Sequence, residues 1–314
     1  MLRNRKRIGL ALGGGGGRGW AHLGVIRAIE EAGIPIHCIA GTSMGALVGG
    51  AFANGKVDAL MKVATDLDWR HVLHYFLEFN LPRSGLVDGT RIVKLLHRHI
   101  TPSNMEDASI PLRVVATDIQ TGKEVVIAKG DMIEAIRASI AVPGILTPVA
   151  RDGQILVDGG LVNPVPVSVA RAMGADKVIA VDVNRQLVSG ASAARDNATV
   201  SKAANRQNHG EAGRYKIINL INERISHADV RALSPVRRWI TRRSTPSVFD
   251  IMGNTIRIIE TELSAMLMEK HPPDILIQPD VGQIGFMDFH RAEEAIEAGY
   301  EAARRKLTRH AARH

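Results

Sequence analysis

Short apolar runs alternate with helix-like patterns along the first 183 residues of the chain. Each run is long enough for a buried strand, and between the runs apolar residues recur at the spacing of a helix face. The predicted strands are Arg7–Leu12, His37–Ala40, Leu112–Ala116, Val125–Ala128, Ile155–Val157 and Lys177–Val183. The predicted helices lie near Gly19–Ala32, Gly45–Asn54, Asp58–Leu67, Thr90–His99, Asp131–Ser139 and Val165–Met173. This alternation predicts an α/β fold.

The alternation stops after residue 184. Leu187–Gly213 consists largely of small and polar residues without periodicity, which predicts a mobile excursion. Beyond it, helical patterns lie at Tyr215–Ala232, Val248–Glu269 and Asp288–Leu307, and Asp274–Gln278 is strand-like. The sequence shows no repeat of fixed period. We therefore predict one domain over residues 1–314 with a helical, partly disordered insertion at residues 184–243.

The composition is ordinary for a soluble globular protein, with 45% hydrophobic and 23% charged residues. The one cysteine, Cys38, excludes an internal disulfide framework, and its apolar neighbours predict a buried structural thiol. Behind the basic N-terminus, the apolar stretch is too short for the core of a signal peptide, and no run approaches the roughly 20 residues of a membrane span. These features predict a cytoplasmic protein.

Five consecutive glycines, residues 13–17, join the first predicted strand to the first predicted helix. Glycine allows positive φ and a close approach of the backbone to a partner, and a helix N-terminus attracts negative charge. The G-x-G-x-x-G spacing from Gly14 to Gly19 suggests a dinucleotide, but the second strand ends at Ala40 without the acid that holds a ribose. A Walker A loop is excluded because it needs Gly-Lys-Ser or Gly-Lys-Thr, whereas this chain continues with Arg18, Gly19 and Trp20. The loop is predicted to face fixed or transient negative charge.

The second predicted strand runs directly into Gly41–Gly45, with the sequence Gly-Thr-Ser-Met-Gly, and an apolar helix follows. A G-x-S-x-G segment between a strand and a helix is typical of a nucleophile elbow, although a serine can also simply cap a helix. Attack by Ser43 on an ester creates an oxyanion that needs preorganised N–H donors. Adjacent parallel strands would place the Gly14–Gly17 loop beside Ser43. We predict that Ser43 is a nucleophile and that this loop forms its oxyanion hole.

A nucleophilic serine also needs a base. The histidines considered are His71, His74, His97, His99, His209, His227, His271 and His290, and none of them lies at a predicted strand end. His290 begins a helix and is predicted to lie on the surface. His22 lies inside the first helix, where packing or a backbone hydrogen bond is expected. A histidine base is therefore not favoured.

Carboxylates fit the position of the base better. Asp158 closes a short apolar strand and is followed by two glycines. Its rival Asp88 precedes a helix and is predicted to cap it. Asp118 and Asp182 also end strands, but no glycine follows either of them. We favour Asp158 as the base.

Together these motifs resemble the patatin-like phospholipases, in particular bacterial members akin to the catalytic domain of neuropathy target esterase. The matching pieces are Gly14–Gly19, Gly41–Gly45 and Asp158–Gly160, in the order and spacing of the family. A further segment, Ala138–Pro148, is similar to the family's block before Asp-Gly-Gly. The resemblance covers most of residues 7–183.

The resemblance implies a three-layer α/β/α fold with a mainly parallel central sheet, and a Ser–Asp dyad of Ser43 and Asp158 without a histidine. It implies an oxyanion site built by Gly14, Gly15, Gly16, Gly17, Arg18 and Gly19, with support from Gly41, Gly45, Gly159 and Gly160. The implied substrates are fatty acyl esters, typically phospholipids or lysophospholipids, and no metal or cofactor is implied. A regulatory or binding protein with little activity on the same fold is the alternative.

The net charge of +8 comes from residues 184–243, which hold twelve Lys/Arg and four Asp/Glu, while the rest of the chain is balanced. Trp239 and Ile240 lie between two arginine pairs, a combination that suits the interface of an anionic bilayer. We hypothesise that residues 184–243 form a mobile flap that docks on anionic membrane and admits lipid to Ser43. A solvated basic surface or a partner-binding insertion is the alternative. Nucleic acid is not expected, because no binding module is present.

Overall fold

The computed structural model describes residues 6–67, 87–99, 104–184 and 248–311. The chain divides into two compact units, one of Met1–Leu187 with Thr255–His314 and one of Val188–Asn254. Apart from Asn184, the predicted insertion 184–243 lies outside the described residues, as does the predicted helix Tyr215–Ala232 within it.

The described residues of the first unit form one sheet of eight strands. The strands are β1 Ile8–Leu12, β2 Cys38–Thr42, β3 Leu112–Asp118, β4 Lys123–Ile127, β5 Val149–Arg151, β6 Gln154–Asp158, β7 Lys177–Val181 and β8 Ile275–Ile277. Their order is β5-β6-β3-β2-β1-β7-β8, with β4 paired to β3 in addition. The five strands from β3 to β8 in this order are parallel. β4 and β6 each pair antiparallel with β3, and β5 pairs antiparallel with β6. The predicted strands are confirmed, and β5 is an addition.

The predicted helices within the described residues are also present. They are α1 Ala21–Glu31, α2 Met44–Ala53, α3 Val57–Asp66, α4 Thr90–His99, α5 Met132–Ser139, α6 Val167–Ala172, α7 Val248–Lys270 and α8 Ala292–Ala311. The first predicted helix begins differently, because the glycine run enters a 3-10 turn at Gly16–Trp20 before α1 starts. Helices lie on both sides of the mostly parallel sheet, which confirms the predicted α/β/α class.

Helices α1 and α8 approach each other through glycine. A Cβ on Gly24 of α1 would overlap the carbonyl oxygen of Ile296, and a Cβ on Gly299 of α8 would overlap the carbonyl oxygen of Ala21. Since α1 follows the 3-10 turn that the glycine run enters, its packing against α8 connects the start of the fold to a helix from the far end of the chain.

The register of β3 explains how the ends of β2 and β6 come together, and with them Ser43 and Asp158. β2 pairs with one edge of β3 as far as Thr42 opposite Val115. β4 covers the other edge from Val114 to Asp118, so β6, which pairs Asp158 with Ala116, must continue on the same edge as β2. Because β6 is antiparallel to β3 and β2 is parallel to it, the two strands point at each other end to end. Their last residues, Thr42 and Asp158, therefore lie opposite consecutive residues of β3.

Candidate active site

Ser43 lies on a sharp turn between β2 and α2. Its φ of 53° and ψ of −121° fall in a region that non-glycine residues rarely adopt, at a cost of about 1–3 kcal/mol. The turn is crowded on both sides. A Cβ on Gly45 would overlap the carbonyl oxygen of Leu12, and a Cβ on Gly41 would lie 2.6 Å from the Cα of Ala46. The predicted elbow geometry is present, and these two glycines make it sterically feasible.

A serine on a neighbouring helix holds the elbow from behind. The N–H of Ser43 donates to Oγ of Ser139 over 2.8 Å, and the hydroxyl of Ser139 donates to the carbonyl oxygen of Val115 over 2.6 Å. Ser139 is fully buried at the end of α5. This chain of hydrogen bonds fixes the elbow to β3, the strand that both β2 and β6 share.

The hydroxyl of Ser43 donates a hydrogen bond to Oδ2 of Asp158 over 2.7 Å. The other carboxylate oxygen, Oδ1, accepts the N–H of Gly160 over 2.7 Å. The backbone of Asp158 is held as well, since its carbonyl oxygen accepts the hydroxyl of Thr117. A Cβ on Gly159 would overlap the carbonyl oxygen of Val115. The two glycines after Asp158 are thus needed for room and for an N–H donor.

Burial raises the pKa of Asp158 to about 6, against the opposing effect of the hydrogen bonds from Ser43 and Gly160. The side chain is only 4% exposed, so its charged form loses most of its hydration. At neutral pH the carboxyl is still mostly ionised, yet it is a stronger base than an ordinary aspartate. A general base works best with a pKa near the working pH.

Two histidine expectations are confirmed. His22 is fully buried, and its ring Nε2–H donates to the carbonyl oxygen of Gly13 over 2.7 Å. Burial lowers the pKa of His22 to about 4, so the ring is neutral and supports the end of β1. His290 is exposed in a short turn before α8. Four of the other candidate histidines lie outside the described residues: His71, His74, His209 and His227.

The rival carboxylates have other partners. Asp88 is exposed and accepts the N–H of Thr90 at the start of α4, as expected for a cap. Asp118 is bonded within the turn that joins β3 to β4. Asp182 accepts the N–H of Asn184 beyond β7.

The glycine loop lies beside the serine, as predicted from adjacent parallel strands. A Cβ on Gly14 would lie 3.3 Å from the Cβ of Ser43. Not all of its N–H groups are available, however. Three of them donate to backbone carbonyl oxygens: Gly13 to Val181, Gly14 to Pro164 and Gly17 to Phe286. Within the described chain, the N–H groups of Gly15 and Gly16 have no such acceptor.

Arg18 anchors this loop rather than pointing its charge to solvent. Its guanidinium is 2% exposed and donates to the carbonyl oxygen of Ile284 over 3.1 Å and to Oδ1 of Asn184 over 3.0 Å. Burial lowers the pKa of Arg18 to about 10, which leaves it charged at neutral pH. The next residues continue the anchoring, since the indole N–H of Trp20 donates to the carbonyl oxygen of Phe289.

Sequence reasoning missed two residues of the site, Asn184 and Glu260. The side-chain amide of Asn184 donates to Oε2 of Glu260 over 2.8 Å and to the carbonyl oxygen of Gly14 over 3.2 Å. Burial, together with the charge of Asp158, raises the pKa of Glu260 to about 8. Asn184 could have been recognised from the sequence as a candidate site residue, because it is a polar residue shortly after β7, the strand that pairs with β1. For Glu260, on a helix with exposed acids at nearby positions, no such signal exists.

The described residues were also searched for metal-binding groups and for membrane-spanning helices. They contain no group of three or more His, Cys, Asp or Glu side chains that could hold a metal ion. In the same part of the chain, no helix is long and apolar enough to cross a membrane. The arrangement is that of an activated hydroxyl beside unpaired N–H groups, which suits acyl transfer to serine.

The chain is similar in sequence to a known protein family and to individual members of it. The family model described as patatin-like phospholipase matches residues 10–171. An uncharacterized NTE family protein of Mycobacterium bovis is 32% identical over 96% of this chain and 91% of its own length. Patatin-like phospholipase domain-containing protein 6 of Mus musculus is 36% identical over 57% of this chain and 14% of its own. Among solved structures, VipD from Legionella pneumophila aligns over 97% of this chain and 67% of its own, with 12% identity and a TM-score of 0.46.

Proposed function

The chain belongs to the patatin-like phospholipase family, and on that basis we propose that it is a serine hydrolase of fatty acyl esters in phospholipids or lysophospholipids. The observation that carries the proposal is the 2.7 Å hydrogen bond from the hydroxyl of Ser43 to Asp158. That bond joins the serine of a strained elbow to a buried carboxylate with a raised pKa. The family membership supports a lipid substrate.

In the proposed reaction, Asp158 takes the hydroxyl proton of Ser43 as Oγ attacks the carbonyl carbon of the ester. The tetrahedral intermediate collapses, and the alcohol or lysolipid leaves with the proton that Asp158 returns. The fatty acyl group then remains bound to Oγ as an ester. Asp158 next takes a proton from water, whose oxygen attacks the same carbonyl carbon. The fatty acid leaves, and Oγ recovers a proton from Asp158.

We propose that the oxyanion is stabilised by the N–H groups of Gly15, Gly16 and Met44. The first two belong to the glycine loop, and neither donates to a backbone carbonyl within the described chain. Met44 is the first residue of α2, where backbone N–H groups lack helical acceptors. By analogy with other hydrolases, one such donor contributes about 2.7–4 kcal/mol.

The function is tested by hydrolysis of a panel of esters by the wild-type protein. The panel contains p-nitrophenyl esters of increasing chain length, lysophosphatidylcholine, phosphatidylcholine vesicles and a triacylglycerol emulsion. We expect release of fatty acid from at least one lipid, with a preference for long chains over acetate. A wild-type protein that hydrolyses no member between about pH 5 and about pH 9 contradicts the proposal.

We further propose that the basic residues of 184–243 bring the enzyme to anionic lipid. The proposal rests on the excess of twelve basic over four acidic residues there, since each Lys or Arg near an anionic surface contributes about 1 kcal/mol. The protein should co-sediment with vesicles that contain phosphatidylserine, and binding should weaken as salt is added. Equal pelleting with neutral phosphatidylcholine vesicles, or none with either, contradicts docking through charge.

A further inference from the structure

The carboxyl group of Glu260 lies in the site, yet the proposed reaction does not use it. Glu260 comes from α7, and its side chain is 3% exposed. One oxygen, Oε2, accepts the side-chain amide of Asn184 over 2.8 Å. Asn184 is itself buried, and its side chain bonds both the carbonyl oxygen of Gly14 and the guanidinium of Arg18. Through Asn184, Glu260 therefore fixes both ends of the glycine loop.

The other oxygen of Glu260 faces the dyad. Oε1 lies directly against Gly160, where any Cβ would overlap it, and 3.5 Å from the Cβ position of Gly14. Oδ1 of Asp158 lies 3.1 Å from the same Cβ position of Gly160. The carboxyl group thus lies between the base on one side and the oxyanion loop on the other.

The charges that face Glu260 decide its protonation state. Asp158, at the end of β6, and Asp182, beyond β7, favour the neutral acid, as does burial. Arg18, from the 3-10 turn, and the hydrogen bond from Asn184 favour the carboxylate. Burial and the two acids prevail, so the pKa of Glu260 is raised and the group is mostly neutral at pH 7.

We propose that Glu260 is a positioning residue whose neutral carboxyl holds the glycine loop through Asn184 and whose ionisation switches hydrolysis off. This inference rests on the proposed function. Ionised Glu260 would place a negative charge beside the loop where the oxyanion develops. The repulsion between the two charges raises the barrier to the attack of Ser43.

The experiment compares wild type with Glu260→Gln across pH, using lysophosphatidylcholine and a fatty acid assay. In wild type, kcat/KM should rise through about pH 6 as Asp158 ionises and fall through about pH 8 as Glu260 ionises. In Glu260→Gln the alkaline fall should disappear while the acid limb stays, because the amide oxygen still accepts from Asn184 and no charge can form.

Two companion variants separate the switch from a structural role. Glu262→Gln changes an exposed acid two residues further along α7 and should leave both limbs in place. Asn184→Ala removes the link to the loop and should lower kcat at every pH by about tenfold or more, with both limbs kept. An alkaline limb that persists unchanged in Glu260→Gln overturns the inference, as does an equal loss of activity at every pH.

Melting temperatures give a readout that needs no substrate. Between the ordinary glutamate pKa and about 8, folded wild type holds a proton on Glu260 that the unfolded chain releases, so its stability falls as pH rises. Glu260→Gln lacks this loss of stability. Its melting temperature minus that of wild type should therefore increase as the pH rises from about 5 to about 8. A difference in melting temperature between Glu260→Gln and wild type that stays the same at every pH overturns the inference. An inert wild type overturns the proposed function, and this melting comparison then decides alone whether folded Glu260 is neutral.

Discussion

Replacing Ser43 by alanine is expected to lower kcat/KM for ester hydrolysis roughly 10⁴-fold or more, by analogy with serine proteases. The reason is that Oγ forms the bond to the acyl carbon in the proposed reaction. Among the described residues, the only other hydroxyl bonded to Asp158 is that of Thr117, which binds its backbone. The folded state should persist, because alanine keeps the Cβ and the N–H that binds Ser139. The measurements are steady-state kinetics and labelling by a fluorophosphonate, which reacts with activated serines.

The matched control is Ser109→Ala, which removes a serine that is exposed on the surface. It should keep both activity and labelling. If Ser43→Ala still hydrolyses esters at a rate near wild type, or is still labelled, the nucleophile is another residue and the proposed reaction is wrong.

Asp158→Asn should lower kcat by about 10⁴-fold or more, because an amide cannot take the proton of Ser43. The asparagine oxygen can still accept the N–H of Gly160, so the turn after β6 keeps its support. The variant should also be at least as stable as wild type above about pH 6. Burial disfavours the charged form of Asp158, and the amide removes that penalty.

Asp88→Asn is the control for the base, since Asp88 is the rival carboxylate and asparagine can still accept the N–H of Thr90. It should retain wild-type kinetics. Activity that survives in Asp158→Asn but is lost in Asp88→Asn would assign the base to the start of α4 and contradict the dyad.

Local patterns were enough for the parallel pairing of β1 with β2 and for the turn that carries Ser43. The strand before Gly41 and the helix after Gly45 are both continuous apolar segments, so the G-x-S-x-G segment had only one structural context. The choice of Asp158 over Asp88 also rested on local chemistry, because glycines beside a strand end leave room that a helix cap does not need. The structure places Ser43 on that turn and bonds its hydroxyl to Asp158, whereas Asp88 caps α4. The roles of nucleophile and base stay predictions.

What the sequence could not reveal depends on contacts between distant segments. The glycine run predicted a row of free N–H donors. However, Gly14 and Gly17 donate to the carbonyl oxygens of Pro164 and Phe286, and no local sequence pattern connects these two residues to the loop. Glu260 looks like one more acid on an amphipathic helix. Its burial depends on where α7 packs, and a single sequence gives no account of that.

The glycine loop also has a place in the order of synthesis. Arg18 and Gly17 are held by carbonyl oxygens of Ile284 and Phe286, about 125 residues after Asp158. At translation rates of roughly 5–20 residues per second, a ribosome needs roughly 6–25 seconds to cover that distance. For this interval, the growing chain holds Ser43 and Asp158 but not the partners that fix the glycine loop. If the proposed reaction needs this loop, synthesis of the segment with Ile284 and Phe286 sets the time at which the chain becomes competent.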